Sequence, residues 1–275
     1  MSGFLQAARL DVAESLRTRW FLVYALVFGG IIVVALVAGL TESRVRGFTG
    51  LGRLLIIYIQ LCMAILPVFI LITTVRSVAG DREAGVFEYL LSLPIGLAAW
   101  YWGKLAGRFL VVFLPVLAAL LAAVAWGLVR GYEVPWAALG INIALLVSLA
   151  GCFLGIGILI SSLARSADLA QGTAFLVWLV LLMFLDLILI GIMIRNQAAP
   201  ELVVAISLAN PLQVFRTASM ALFDPQLTLL GPAAWVILDA FGRAGYVVYG
   251  LLYPLVLGGV SATVGFLVFR RGDLP

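Results

Sequence analysis

The sequence predicts an all-α polytopic membrane protein, because its composition is very apolar and its apolar runs are long. Of 275 residues, 64% are hydrophobic and 11% are charged, and the mean hydropathy is +1.20. Ordinary soluble domains carry about a quarter charged residues. Several runs reach the roughly 20 residues that an α-helix needs to cross a bilayer. We therefore expect one membrane domain over 1–275, with six transmembrane helices.

Residues 1–19 predict an amphipathic helix that lies on the membrane surface. Leu5, Ala8, Val12 and Leu16 recur at helical spacing, and charged residues stand between them. The apolar run at 20–40 follows, and it is too long for the core of a signal peptide. We expect this run to be the first transmembrane span, retained as an anchor.

Five further spans are predicted at about 54–75, 109–128, 140–163, 173–194 and 246–269. Pro67 and Pro115 lie inside spans 2 and 3 and predict kinks there, since a membrane helix tolerates proline when its surroundings satisfy the freed backbone groups. Gly151 and Gly155 in span 4 form a GxxxG pair. Such a pair permits close helix approach, either inside one chain or between two.

Residues 195–245 predict an external elaboration of short helices before span 6, because prolines interrupt the segment repeatedly. Asn210 followed by Pro211 has the pattern of a helix start. In the helix that follows, one face is predicted to hold Leu212, Phe215, Ser219 and Leu222.

Six spans place both termini on one side of the membrane, and the basic residues indicate which side. With the termini in the cytoplasm, ten of the 17 Lys and Arg residues lie inside and seven outside. This bias agrees with the excess of positive charge that cytoplasmic loops carry. We expect a multi-pass protein of the bacterial inner membrane with cytoplasmic termini, surrounded by lipid and without affinity for nucleic acid.

The 76–108 loop between spans 2 and 3 is predicted to hold a short cytoplasmic helix. Asp81 can cap this helix and Glu83 lies in its first turn, where the helix dipole favours acidic residues. Phe87, Leu90 and Leu91 then share an apolar face, Arg82 and Glu88 point elsewhere, and Pro94 ends the helix. Trp100, Tyr101 and Trp102, followed by Lys104 and Arg108, predict an anchor at the level of the lipid headgroups.

This loop resembles the first cytoplasmic loop of ABC-2 type transporter permeases. In that family an acidic residue and a glycine precede a Leu-Leu-x-x-Pro turn and a later Gly-Lys, and the matching positions are Glu83, Gly85, Leu90, Leu91, Pro94, Gly103 and Lys104. Val86 stands where the family usually has Thr. The RTRW sequence at 17–20 and NPLQVFR at 210–216 are similar to the same family. The chain looks closest to the NosY-like branch, which serves nitrous oxide reductase maturation and copper-site assembly.

The resemblance implies a permease subunit that works as a homodimer with a separate cytoplasmic ATPase, which binds ATP and Mg. This chain carries no phosphate-binding loop of its own, because Gly103 and Lys104 are followed by Leu105 and the glycine spacing is wrong. The chain is therefore predicted not to be an enzyme and to need no cofactor. The residues expected to couple to the ATPase are Asp81, Arg82, Glu83, Gly85, Phe87, Glu88, Leu90, Leu91, Pro94 and Lys104.

The same resemblance implies a periplasmic accessory protein that docks on the external elaboration. The residues expected to contact it are Asn210, Pro211, Phe215 and Arg216. The chain would either transport a substrate or transmit a conformational signal to this protein.

Two polar features inside the predicted spans have open interpretations. Asp186 in span 5 either lines a substrate path or makes a packing hydrogen bond with a residue such as Asn142 or Gln60. Cys62 and Met63 are soft ligands, but adjacent helical residues face different directions, and the chain contains no histidine. We therefore predict no metal site.

Two other functions compete with the ATP-driven permease. A secondary transporter or channel driven by an ion gradient would need a polar pathway or a repeat between halves, and the sequence has no convincing repeat. An intramembrane enzyme would need paired acidic residues, a serine with a base, or a zinc-binding helix. A solitary Asp186 and the absence of histidine argue against this last class.

Overall fold

A computed structural model of the chain describes residues 3–17, 19–37, 51–86, 96–184, 200–223 and 231–272. All regular structure in these ranges is helical, as the composition predicted. The helices are α1 Gly3–Arg17, α2 Arg19–Val37, α3 Leu51–Thr74, α4 Arg76–Glu83, α5 Leu97–Val129, α6 Trp136–Leu163, α7 Ala167–Leu179, the π-helical turn Val180–Phe184, α8 Pro200–Ala209, α9 Pro211–Phe223 and α10 Gly231–Gly272.

Within these ranges, four stretches are long and apolar enough to cross a membrane: Leu55–Glu83, Leu97–Val129, Trp136–Leu163 and Phe241–Gly272. They correspond to predicted spans 2, 3, 4 and 6, so a multi-pass membrane protein is confirmed. The helix α2 coincides with predicted span 1, and α7 with its π-helical turn covers the first half of predicted span 5. The count of six spans stays a prediction. The helices α3 and α5 continue through Pro67 and Pro115.

Contacts between the long helices fix their relative directions. Tyr58 Oη donates to Val116 O at 2.8 Å near the start of α3, and Lys104 Nζ donates to Ser77 O at 3.0 Å beyond its end. Residue numbers rise along α3 as they fall along α5, so these two helices are antiparallel. In contrast, Ser148 Oγ on α6 donates to Leu251 O on α10 at 2.6 Å. Farther along both helices, Gly265 of α10 lies so close to α6 that a Cβ added to it would be 3.1 Å from Leu159 Cα. Hence α6 and α10 run parallel.

The parallel packing of α6 and α10 constrains the chain between them. If each helix crosses the membrane once in the same direction, the intervening residues must return to the first side. The helix α7 begins that return. It starts beside α4, where Arg76 Nη2 lies 3.6 Å from Asp168 Oδ1. The π-helical turn that follows α7 contacts the start of α9, because Asn210 Nδ2 donates to Leu181 O at 2.7 Å. This arrangement agrees with a fifth span in the predicted place.

A glycine seam, formed by Gly151, Gly155 and Gly258, joins α6 to α10. A Cβ added at Gly258 would lie 2.5 Å from Gly151 O and 2.6 Å from Cys152 Cα, and a Cβ at Gly155 would collide with the Gly258 carbonyl. The two backbones touch because none of these residues has a side chain. The GxxxG pair therefore serves packing inside one chain, which was one of its two predicted uses.

One end of the bundle, which we call the charged end, gathers Asp11, Asp81, Arg82, Glu83, Lys104, Arg108 and Asp168. Here the structure corrects the predicted start of span 3, because α5 is continuous from Leu97 and needs no loop before 109. Trp100 and Tyr101 are 9% and 0% exposed and pack on Phe269 of α10. They anchor α5 to another helix, whereas Trp102 is half-buried, and its predicted contact with the lipid headgroups stays a prediction.

The predicted N-terminal helix is confirmed as α1, but the face that packs on the bundle is not the leucine stripe. Leu5 and Leu16 are exposed, while Ala7, Asp11 and Ser15 are buried against α5. Small residues face each other across this contact: a Cβ added at Gly103 would lie 2.6 Å from Phe4 O, and one at Gly107 would lie 2.8 Å from Ala8 O. The leucines are thus free to face lipid, as an interfacial helix requires.

At the opposite end of the bundle, α9 confirms the predicted helix start at Asn210. Leu212 N donates to Asn210 Oδ1 at 3.0 Å, and Pro211 occupies the first helical position, where its missing N–H costs no hydrogen bond. Leu212, Phe215 and Ser219 are at most 1% exposed, and α9 packs against α3, α6 and α10. The external elaboration therefore includes a helix that is folded into the bundle.

Candidate functional site

The predicted coupling helix, whose apolar face holds Phe87, Leu90 and Leu91, lies largely at 87–95 and therefore outside the described residues. What the structure describes in the 76–108 loop is the short helix α4. It begins at Arg76 and ends at Glu83, and Gly85 follows with φ 68°. A residue in this left-handed conformation ends a right-handed helix, and glycine is favoured there because other residues pay a steric cost. Asp81 and Glu83 therefore lie in the last turn and not in the first, so the predicted N-terminal cap at Asp81 is wrong.

Acidic residues in a last helical turn face the negative end of the dipole and need other partners. Asp81 forms an ion pair with Lys104, whose Nζ also donates to Ser77 O at 3.0 Å. The Lys104 residue is only 9% exposed, so this charge is largely removed from water. The pair ties the end of α4 to α5.

Arg82 and Glu83 tie α4 to the junction between α6 and α7. The guanidinium of Arg82 donates to Ala164 O at 2.6 Å and to Ser162 O at 3.2 Å, which are carbonyls at the end of α6. Glu83 Oε1 accepts from Ala167 N at 3.2 Å, at the first residue of α7. A carboxylate at this position is favoured by the positive end of the α7 dipole. Two adjacent residues thus connect α4 to two long helices at once.

Ser161 of α6 caps the start of α4 from outside that helix. Its Oγ accepts from Val78 N at 2.9 Å and from Ala79 N at 3.0 Å, while the N-cap residue Val75 has no side-chain oxygen to offer. First-turn amides lack partners within their own helix. The buried Ser161 hydroxyl is the hydrogen-bond acceptor for two of these amides.

Replacing Ser161 by Ala is expected to lower the free energy of unfolding by about 1–2 kcal/mol, as loss of a helix cap does. Thermal unfolding in detergent and hydrogen exchange at 76–83 measure the effect. The control is Thr173→Val, because the exposed Thr173 hydroxyl bonds the Leu169 carbonyl of its own helix and not another element within the described residues. Equal unfolding temperatures for the two variants would contradict the capping role.

Arg108 connects α5 to α1 and α3 at the charged end. Its Nε donates to Asp11 Oδ1 at 3.0 Å and its Nη1 to Thr73 O at 2.9 Å. The Asp11 side chain is 2% exposed. Burial raises the pKa of the Asp11 carboxyl, and the positive charges of Arg108 and Lys104 lower it by less. The carboxylate therefore depends on Arg108 for its charge.

The predicted coupling residues fall into two groups. Asp81, Arg82, Glu83, Gly85 and Lys104 lie together at the charged end, and those with side chains are engaged inside the chain. Phe87, Glu88, Leu90, Leu91 and Pro94 lie outside the described residues, as does Asp186. Contact of any of these residues with a partner stays a prediction.

The possible partners proposed for Asp186 are described. Asn142 is fully buried, and neither atom of its amide has a hydrogen-bond partner within the described part of the chain. Gln60 is half-buried. Asn142 therefore has unused hydrogen-bonding capacity inside the bundle.

Of the four residues predicted to contact an external partner, three serve internal packing. Asn210, Pro211 and Phe215 are buried, and the Asn210 side chain bonds both the helix start and Leu181 O. Arg216 is half-buried, and its Nε is buried with no hydrogen-bond partner among the described residues. External contact stays a prediction, and Arg216 is the least buried of the four residues.

Sequence reasoning missed three residues of the charged end: Asp11, Ser161 and Arg82 in its carbonyl-binding role. For Asp11 a signal existed, since Ala7, Asp11 and Ser15 recur at every fourth position, as Gly103 and Gly107 do. Two small-residue stripes of equal spacing are typical of closely packed helices. No comparable pattern marks Ser161, because its partners are backbone amides more than 80 residues away.

Comparisons with known proteins assign the chain to a family. Residues 5–274 match the ABC-2 family transporter protein family. The chain is 27% identical to the probable ABC transporter permease protein NosY of Stutzerimonas stutzeri over 283 positions, which cover 98% of this chain and 99% of that protein. It is also 27% identical to the protein of the same name from Pseudomonas aeruginosa over 223 positions, covering 79% and 81% of the two chains.

The family match spans nearly the whole chain, the relatives are aligned over most of their length, and the helices are long enough to span a membrane. These observations support the resemblance that the 76–108 loop and the 210–216 motif suggested. The chain belongs to the ABC-2 family of transporter proteins and is a NosY-like membrane permease subunit of an ABC transporter.

Proposed function

We propose that this chain couples ATP hydrolysis by a separate cytoplasmic ATPase to movement of its transmembrane helices, and that the α4 region is where the ATPase acts. The observation that carries the proposal is the pair Arg82 and Glu83, which link α4 to the end of α6 and the start of α7. A displacement of α4 cannot occur without breaking these bonds or moving both long helices.

Further contacts would also carry a movement of α4 to the long helices. Lys104 links α4 to α5 through Asp81, and Ser161 holds the first turn of α4 against α6. These hydrogen bonds and this ion pair are largely sheltered from water, and such contacts are stronger in a sheltered place than at an exposed surface. The exposed pair between Arg76 and Asp168 adds little by comparison.

The proposal places the charged end in the cytoplasm, as the distribution of basic residues favours. It includes a homodimer and an accessory protein at the opposite end. Because of the likeness to NosY, it extends to maturation of the copper centre of nitrous oxide reductase in a denitrifying bacterium. In this role the chain either moves a substrate or transmits a conformational signal to the accessory protein.

The test is affinity purification of the tagged full chain from its native membrane, followed by assay of the ATPase that accompanies it. Ala84→Asp and Phe87→Asp are expected to reduce the recovered ATPase about tenfold, which corresponds to ~1.4 kcal/mol of binding free energy. Ala84 is exposed directly after α4. The matched control is Glu133→Lys, an exposed charge in the turn between α5 and α6 at the opposite end.

Glu83 requires a finer comparison, because it also holds Ala167 N. Glu83→Gln keeps an acceptor oxygen for that amide, whereas Glu83→Lys removes it. If the ATPase recognises the negative charge of Glu83, both variants recover less ATPase than wild type. If Glu83 acts only inside the chain, Glu83→Gln recovers as much ATPase as wild type. Normal ATPase recovery by Ala84→Asp and Phe87→Asp, or ion-gradient-driven uptake into liposomes by the chain alone, would refute the coupling proposal.

A further inference from the structure

An open groove of about 510 Å³ lies between α1, α5 and α6 and has no role in the coupling described above. Its described lining includes Phe4 of α1, Trp102, Ala106 and Leu110 of α5, and Gly151 and Leu154 of α6. All of these side chains are aliphatic or aromatic, and the volume lies within the range of roughly 300–1,000 Å³ typical of small-molecule sites.

The groove extends from the charged end to the middle of the bundle. Trp102 lies at the level of the charged end, because it is two residues from Lys104, which pairs with Asp81. Leu110 lies two turns farther along α5, ~11 Å away, and Gly151 lies more than three turns from the end of α6 at Leu163, ~18 Å away. Half the hydrocarbon thickness of a bilayer is ~15 Å. The described lining therefore runs ~11 Å along α5, which is most of the depth of one lipid leaflet.

Its width excludes some occupants. Spread over ~11 Å, a volume of about 510 Å³ gives a mean cross-section of ~46 Å². A helix with its side chains is about 10–12 Å wide, which requires at least ~80 Å², so a helix of a second chain could insert side chains into this open groove but would not fit inside it as a whole. Water is not retained in apolar cavities, because it finds too few polar partners there. A single hydrocarbon chain meets both the chemistry and the dimensions.

We propose that this groove binds one acyl chain of a phospholipid from the leaflet at the charged end. The bound chain would contact α1, α5 and α6 together and would fill the space beside the close contact of α1 with Gly103 and Gly107. The headgroup would lie near Trp102, at the end of the groove closest to the charged residues. This binding site is independent of whether the chain couples to an ATPase.

The test uses native mass spectrometry of the full-length protein, stripped of lipid in detergent and then given palmitoyl-oleoyl phosphatidylglycerol. The wild type is expected to retain one phospholipid per chain. Ala106→Phe, which places a ring in the groove, is expected to weaken this binding about tenfold, a loss of ~1.4 kcal/mol. Ala118→Phe adds the same ring to an exposed position of the same helix and is expected to leave binding within about twofold of wild type.

A second measurement on the unaltered protein covers the case in which Ala106→Phe folds poorly. One equivalent of a diazirine-labelled phospholipid is expected to label peptides 102–110 and 151–154 in preference to the exposed face of α10 around Val256 and Val260. Uniform labelling of these surfaces, or equal lipid retention by the two phenylalanine variants, would overturn the proposal. A change in oligomeric state with no change in lipid retention would instead assign the groove to a second copy of the chain.

Discussion

Gly258→Ala is expected to destabilise the protein by about 3 kcal/mol or more, which is at the upper end for overpacking. The added Cβ would lie 2.5 Å from Gly151 O and 2.6 Å from Cys152 Cα. Both obstacles are backbone atoms inside a helix, so no rotamer change can relieve the clash. The two helices must separate along the whole glycine seam. Thermal unfolding in detergent measures the loss.

The neighbouring residue supplies a matched control. Gly259 is on the same helix, and a Cβ added there meets nothing within 4 Å. Gly259→Ala is expected to be neutral or stabilising by up to about 1 kcal/mol, because alanine is the better helix former. If the two alanine variants unfold at the same temperature, α6 and α10 do not pack backbone to backbone as described.

Arg108→Ala is expected to detach α1 from α5, at a cost of about 3–5 kcal/mol at neutral pH. Removing one member of a buried ion pair leaves the other charge without compensation, and Asp11 has a side chain only 2% exposed. Hydrogen exchange in 3–17 and thermal unfolding report the change. Arg165→Ala removes an exposed arginine from the same end and is expected to change neither.

The pH dependence separates this explanation from simple loss of packing. The pKa of Asp11 is raised by burial and lowered by Arg108, so loss of Arg108 raises it further. A group whose folded-state pKa exceeds its unfolded value stabilises the fold at low pH, and this stability is lost as pH rises through the folded-state pKa. The defect of Arg108→Ala should therefore shrink in acid, and Asp11→Asn should relieve it at neutral pH. A defect independent of pH would point to lost packing.

The coupling loop illustrates where prediction from the sequence ended. The structure describes the short helix α4 at the start of 76–108 and places Asp81 inside it, where the sequence predicted an N-terminal cap. The coupling helix expected around Phe87 stays a prediction. The sequence offered Asp81 as a local cap, whereas the structure caps the helix with Ser161 and ends it at Gly85. Local rules choose among residues near in sequence, and here the oxygen that satisfies the amides comes from another helix.

The aromatic segment after the loop shows the same limit. Tryptophan and tyrosine beside basic residues are typical of a membrane interface, and this pattern predicted a headgroup anchor. A surface that can face headgroups can equally pack on another apolar helix. Trp100 and Tyr101 do so against Phe269, because the long helix α5 continues to Leu97 and brings them beside the end of α10.

The sequence by itself determined that this is a helical membrane protein, where four of its spans lie, and to which family it belongs. Length and apolarity are properties of single segments, and the family motifs are read in order along the chain. Only the tertiary structure decided that the GxxxG pair packs on Gly258, that α1 docks by its small residues, and that Arg82, Glu83 and Arg108 hold partners distant in sequence. Such pairings depend on which helices lie side by side, and hydrophobic periodicity does not encode that choice.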